Sequence, residues 1–363
     1  MRRLSVALGV LGLLFAAALP ARAAEVTLFG KKYNVAMESR AQTYKNGVKI
    51  TIPDADSGSN RKAGLYFVQG ADPSQDRLFV AAPIQATDGL TGDQLYVLRG
   101  ADANGMFTAA SAEATSFFGG NQDWTRGGRP VSVMHISDEN TGVKADRNLA
   151  VTTFSNDDTY RYYDLDTLSG SYDTDAVYSR VQRAINADEG DPNAPFGGFV
   201  AYAPGPNGTI VAFGRAESGS GVEVGVTDPK KNDFFPVLTN MNDVTSNATN
   251  AFPAEEAFVH GAALVGDEYW LLVSSSQPDG DNDSTERNTI YRVRLTFPAD
   301  LTKEARNGIK VEVLGTAELK GTALNGPSEG GMYGLAVGRE VNGGRRLYFA
   351  DWQGNLYTCT PMP

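Results

Sequence analysis

The chain has 363 residues, 41% hydrophobic and 21% charged, with a formal charge of −11, 40 Gly, two His and a single Cys. One cysteine, Cys359, excludes an intrachain disulfide framework, and three Cys and His residues in all fall short of a cysteine-rich structural zinc site. An acidic chain without Lys/Arg-rich runs after its first residues also lacks the basic face that nucleic-acid binding needs.

At the N-terminus, Arg2 and Arg3 precede an apolar run from Leu4 to Leu19, then Pro20 and Ala21-Arg22-Ala23. This order predicts a bacterial signal peptide cleaved after Ala23, and a secreted or periplasmic protein. Its loss removes three positive charges and leaves residues 24–363 as one domain. No later apolar stretch is long enough to span a membrane.

Short strand-like runs then recur along the whole chain. Leu65–Val68 precedes Leu78–Val80, Val131–Met134 precedes Leu149–Val151, and Phe199–Tyr202 precedes Ile210–Ala212. Phe258–Leu264 precedes Trp270–Leu272, and Met332–Val337 precedes Leu347–Phe349. A third run follows each pair, at Leu95–Val97, Tyr160–Tyr163, Val222–Val224, Ile290–Val293 and Leu356–Tyr357. Alternating β-branched and aromatic residues between polar turns are the strand signal, and five successive meanders predict an all-β β-propeller. Five blades match the five copies; six blades follow if residues 24–62 form a blade of their own, and a sandwich is the remaining all-β arrangement. The repeats are longer than the roughly 40–50 residues of compact propeller units, so the excess falls in Gly/Asn/Asp-rich loops.

The last copy ends near the C-terminus and lacks an outer strand. Glu25–Phe29 or Val48–Ile52 can supply it and close the ring, which removes an open sheet edge. One helical pattern interrupts the array: Val177, Val181, Ala184 and Ile185 predict a short surface helix after the second copy.

In a propeller the first strand of each blade lines the central channel, and the loops that enter it form the mouth. Aligning the last two copies places Val259-His260-Gly261-Ala262 against Met332-Tyr333-Gly334-Leu335, and Glu256 against Glu329. Two carboxylates at one height in adjacent blades suit a calcium ion, which takes six to eight oxygen ligands; the other reading is that both are solvated loop residues. Asp279, Asp281 and Asp283 alternate as calcium loops do, but Ser284 and Ile290 replace the glycine and glutamate of a complete EF-hand, so this loop is an independent alternative. His135 and His260 both fall on predicted first strands, where an imidazole can act as base or ligand or simply pack. No Gly-x-Ser-x-Gly elbow singles out a nucleophilic serine, and no glycine-rich phosphate loop implies a nucleotide cofactor.

Tyr333-Gly334-Leu335-Ala336-Val337 followed by Arg346-Leu347-Tyr348-Phe349-Ala350-Asp351-Trp352 resembles the blade motif of NHL-repeat and gluconolactonase-type propellers. The resemblance lies mainly within residues 329–358. It implies a propeller, and in the lactonases the motif's Asn and final Asp serve a calcium site. Asp351 matches that Asp, whereas Tyr333 stands at the Asn position and His260 is its counterpart one copy earlier. These readings predict a protein that binds a small molecule, glycan or protein partner at the channel mouth. The alternative is a calcium-dependent hydrolase of the lactonase or esterase type with His260 and Asp351 as catalytic candidates.

Overall fold

A computed structural model describes residues 24–38, 41–43, 49–51, 64–82, 94–102, 104–115, 131–135, 148–153, 159–164, 182–183, 201–215, 221–227, 237–248, 250–253, 257–274, 288–301, 305–319, 322–324, 332–351 and 355–363. Among them, five sheets of four or five strands follow one another, each a continuous antiparallel meander at its core, with a separate two-stranded ribbon.

Blade 1 contains Gly64–Val68, Arg77–Ala82, Gln94–Ala101 and Phe107–Thr115. Blade 2 contains Val131–His135, Asn148–Thr153, Thr159–Asp164 and Gln182–Arg183. Blade 3 contains Ala201–Pro204, Ile210–Arg215, Val222–Thr227 and Val237–Asn240, with Ala305–Arg306 added in parallel at its outer edge. Blade 4 contains Phe258–Val265, Glu268–Ser274, Asn288–Thr296 and Lys310–Glu318. Blade 5 begins with Met332–Val341, Gly344–Asp351 and Leu356–Pro361.

The first strands touch in cyclic order, from blade 1 to 2, 3, 4, 5 and back to 1, which closes a five-bladed ring. Small residues permit this approach. A Cβ on Gly261 of blade 4 would stand 2.9 Å from the Leu335 backbone nitrogen of blade 5, closer than real Cβ atoms come. Further out, apolar side chains on facing strands fill the gaps between blades. Val211, Phe213 and Val224 meet Val259, Tyr269 and Leu271 between blades 3 and 4. Leu78, Val80 and Leu98 meet Ala336, Tyr348 and Ala350 between blades 1 and 5. The period-2 pattern is what places one face of every strand in such a gap.

The N-terminus does complete blade 5, by a route that differs in detail from the expected one. Lys31–Glu38 pairs directly with Leu356–Pro361, and Ala24–Leu28 adds a fifth strand outside it. Lys49–Thr51, the core of the second candidate strand, pairs instead with Ala41–Thr43 in the separate ribbon. Val177, Val181, Ala184 and Ile185, which carry the predicted helix, lie outside the described residues. Gln182–Arg183 is the outer strand of blade 2, bonded to Thr159 and Tyr160. A three-stranded blade presents an unsatisfied edge, and this two-residue pairing covers part of it.

Candidate functional site

At the entry end of blades 4 and 5, where the first strands begin, both strands carry a bulge at the same place. Val259 pairs with Val273 and Gly261 with Leu272, leaving His260 as the extra residue. Met332 pairs with Asp351 and Gly334 with Ala350, leaving Tyr333 as the extra residue. The alignment of His260 with Tyr333, made from sequence, is thus reproduced by the register. A bulge re-aims the residue it inserts and recurs beside functional sites.

A polar layer backs the two bulges. His260 Nε2 lies 2.7 Å from Ser274 Oγ, the last residue of the second strand, and both side chains are buried, at 2% and 1% exposure. Ser274 is paired in register with Asn288 on the third strand. The Asn288 amide then reaches across to blade 5: its Nδ2 donates to the Met332 carbonyl and its Oδ1 accepts from the Met332 N–H, each at 3.1 Å. Met332 lies on the inner strand of its blade, and the side-chain amide keeps its buried backbone N–H and carbonyl satisfied.

Asp351 sits opposite Met332 and is buried, its carboxylate turned into its own hairpin. Oδ1 accepts from the Asn355 N–H and Oδ2 from Asn355 Nδ2 and the Tyr357 hydroxyl, each at 2.8 Å. Burial, then the adjacent carboxylate, pushes the Tyr357 phenol well above its ordinary value, which keeps it a donor. This is the bonding of a turn cap. Cys359, two residues on, is fully buried, and burial pushes its thiol up, so it carries no reactive thiolate.

Glu256 and Glu329, and the alternative Asp279, Asp281 and Asp283, lie outside the described residues. His135 ends the first strand of blade 2, paired in register with Asn148; its side chain lies outside the described set. Among the described residues no group of three or more His, Cys, Asp and Glu could hold a metal ion, and no helix is long and apolar enough to cross a membrane. Sequence reasoning passed over Ser274, Asn288 and Asn355. Each earns its place through a partner 14, 44 or 4 residues away, and only the last spacing is local enough to read as a turn.

No protein-family model matches the chain, and neither does any curated protein. Among solved structures, an exo-β-1,3-galactanase from Clostridium thermocellum is similar at 9% identity and a TM-score of 0.47, over 91% of this chain and 63% of the galactanase. This chain therefore spans less than two thirds of that protein. A glucose dehydrogenase-like putative oxidoreductase from Thermus thermophilus is similar at 14% identity and a TM-score of 0.40, over 94% of this chain and 99% of the other. An α-L-arabinofuranosidase from Clostridium thermocellum is similar at 10% identity and a TM-score of 0.38, over 80% and 82% of the two chains. At these values the likeness speaks neither to substrate nor to catalytic residues.

Proposed function

We propose that this is a secreted or periplasmic binding protein that takes a small molecule, glycan or protein partner at the entry end of blades 4 and 5, with calcium as an accessory ion. The observation that carries this reading is the pair of matched bulges at His260 and Tyr333, held at a common height by the Asn288 bridge. Glu256 and Glu329 precede these bulges by four residues in each copy, which makes them the first candidates for the ion, with Asp279, Asp281 and Asp283 as the alternative. The reading also keeps the NHL-type resemblance of blade 5, whose Asp351 acts as a hairpin cap.

Thermal unfolding of the mature protein in calcium against chelator tests it. A ligand that binds only the folded state raises the melting temperature with the logarithm of its concentration above saturation. Glu256→Gln with Glu329→Gln abolishes that rise if they hold the ion; Asp281→Asn with Asp283→Asn abolishes it if the loop does. A melt indifferent to millimolar calcium removes the ion from the proposal.

The second reading is a lactonase- or esterase-type hydrolase, favoured by one observation, the His260–Ser274 contact. A histidine within hydrogen-bond reach of a hydroxyl is the minimal arrangement for nucleophile activation. The burial of both groups weighs against it, because a nucleophile must meet its substrate. A lactone and ester hydrolysis screen of wild type against Ser274→Ala separates the readings: activity lost with Ser274 supports the enzyme, and no turnover supports the binder.

A further inference from the structure

The hairpin that completes blade 5 has an anomalous tip. Leu28 and Lys31 form its last pair, so the turn is the two residues Phe29 and Gly30, with φ of 51° and 76°. Such turns favour Asn-Gly or Asp-Gly, because both positions are left-handed. A bulky aromatic residue in that conformation is strained. The other two-residue hairpin of blade 5 follows the rule, with Asn342 at φ 50° and Gly343 at φ 70°.

The Phe29 ring makes contacts that no turn requires. It packs edge-on to Trp270 of blade 4 with centroids 5.3 Å apart. The Arg292 guanidinium lies 5.6 Å from the Phe29 centroid and 5.1 Å from that of Trp270. Glu268 fixes this guanidinium through three hydrogen bonds of 2.8–3.0 Å. The neighbour on the next strand is Gly315, in register with Arg292, and a Cβ there would come within 3.3 Å of Phe29 Cδ1. Trp270, Arg292 and Gly315 thus form one row across blade 4, a socket with an aromatic wall, a clamped cation and a missing side chain where the ring enters.

We propose that the N-terminal hairpin is a latch, with Phe29 as its bolt and this row as its keeper. It couples the one blade assembled from both chain ends to its neighbour. Releasing Phe29 frees residues 24–38 as a unit and opens the outer half of blade 5 without unfolding the other blades, as local opening units do.

The two explanations of Phe29 predict opposite signs. As a turn residue alone it is a poor choice, and Phe29→Asn raises the melting temperature. As a latch, Phe29→Asn lowers it by several degrees, and amide hydrogen exchange accelerates about tenfold or more in residues 24–38 and 356–361 while Ile210–Arg215 of blade 3 is unchanged. Gly315→Ala leaves the turn chemistry intact and crowds the ring, so it reproduces the localised exchange pattern even if Phe29→Asn fails to fold. A melting temperature raised or unchanged by Phe29→Asn, or exchange that Gly315→Ala accelerates uniformly or not at all, overturns the latch.

Discussion

Blade 5 makes two junctions, and they are built from different materials. Toward blade 1, at the end where first strands leave the channel, Arg339 donates to the buried Asp76 carboxylate at 2.7 and 3.1 Å and to the Gly70 carbonyl at 2.9 Å. Tyr348 stacks there on Phe67 and meets Phe107 at a tilt, each with ring centroids 5.5 Å away. Toward blade 4, at the opposite end, a neutral amide bonds a backbone pair across the gap, beside the close approach of Gly261 and Leu335. The charged clasp binds through groups that lose much if one is removed. The neutral bridge holds two bulges in register.

Removing residues 24–38 tests what both junctions share, and the largest effect is expected there. Val26, Leu28, Tyr33 and Val35 are buried, and large apolar side chains contribute roughly 1.5–3 kcal/mol each against a net stability of about 5–15 kcal/mol. The truncated protein is expected to aggregate or unfold. A monomeric melt at the wild-type temperature contradicts the closure.

Asp76→Asn comes next, because it strands Arg339 with its guanidinium largely out of water. Breaking a buried pair from one side costs about 3–5 kcal/mol, whereas Asp76→Asn with Arg339→Met recovers most of it. Asn288→Ala leaves the Met332 N–H and carbonyl without their side-chain partner, a loss of about 1–3 kcal/mol. Chemical denaturation of the three variants checks the order. An Asn288→Ala cost equal to or above that of Asp76→Asn removes the distinction between the junctions.

Alkaline pH gives a smaller effect, centred on blade 5. Cys359 has its thiol raised above the ordinary 9.0 by burial, and Tyr348 and Tyr357 are raised above 10.0, again chiefly by burial. In the folded state these groups keep their protons when the unfolded chain has lost them. Their stabilisation is therefore complete well below pH 9 and is lost progressively as pH rises above the unfolded values toward the folded ones. The thiol alone removes about 1 kcal/mol between pH 9 and 10. Denaturation midpoints at pH 8, 9 and 10 for wild type and Cys359→Val read this slope, which is shallower in the variant.

The parts of this architecture legible in sequence are those encoded locally. First, second and third strands stood out because alternation over four to six residues needs no knowledge of a partner, and the match of Gly261 to Gly334 followed from two such copies. Apart from Ala24–Leu28, outer strands are hard to read: Gln182–Arg183 is too short to carry a period, and Lys31–Glu38 opens with two lysines before its alternation begins. The supporting layer was hidden for a different reason. Ser274 and Asn288 acquire their roles from cross-strand register and from a neighbouring blade, and a lone serine or asparagine carries no trace of either. Asp351 was visible as a motif residue, yet its bonding to Asn355 and Tyr357 depends on how one hairpin closes.

If the entry end of blades 4 and 5 is the binding face, amide hydrogen exchange of residues 24–363 with calcium chloride against chelator shows it directly. Slower exchange with calcium is expected in peptides covering residues 257–261 and 332–335, with no change in those covering 64–77 and 339–341. Calcium-dependent protection confined to the blade 1 side, or none anywhere, contradicts it.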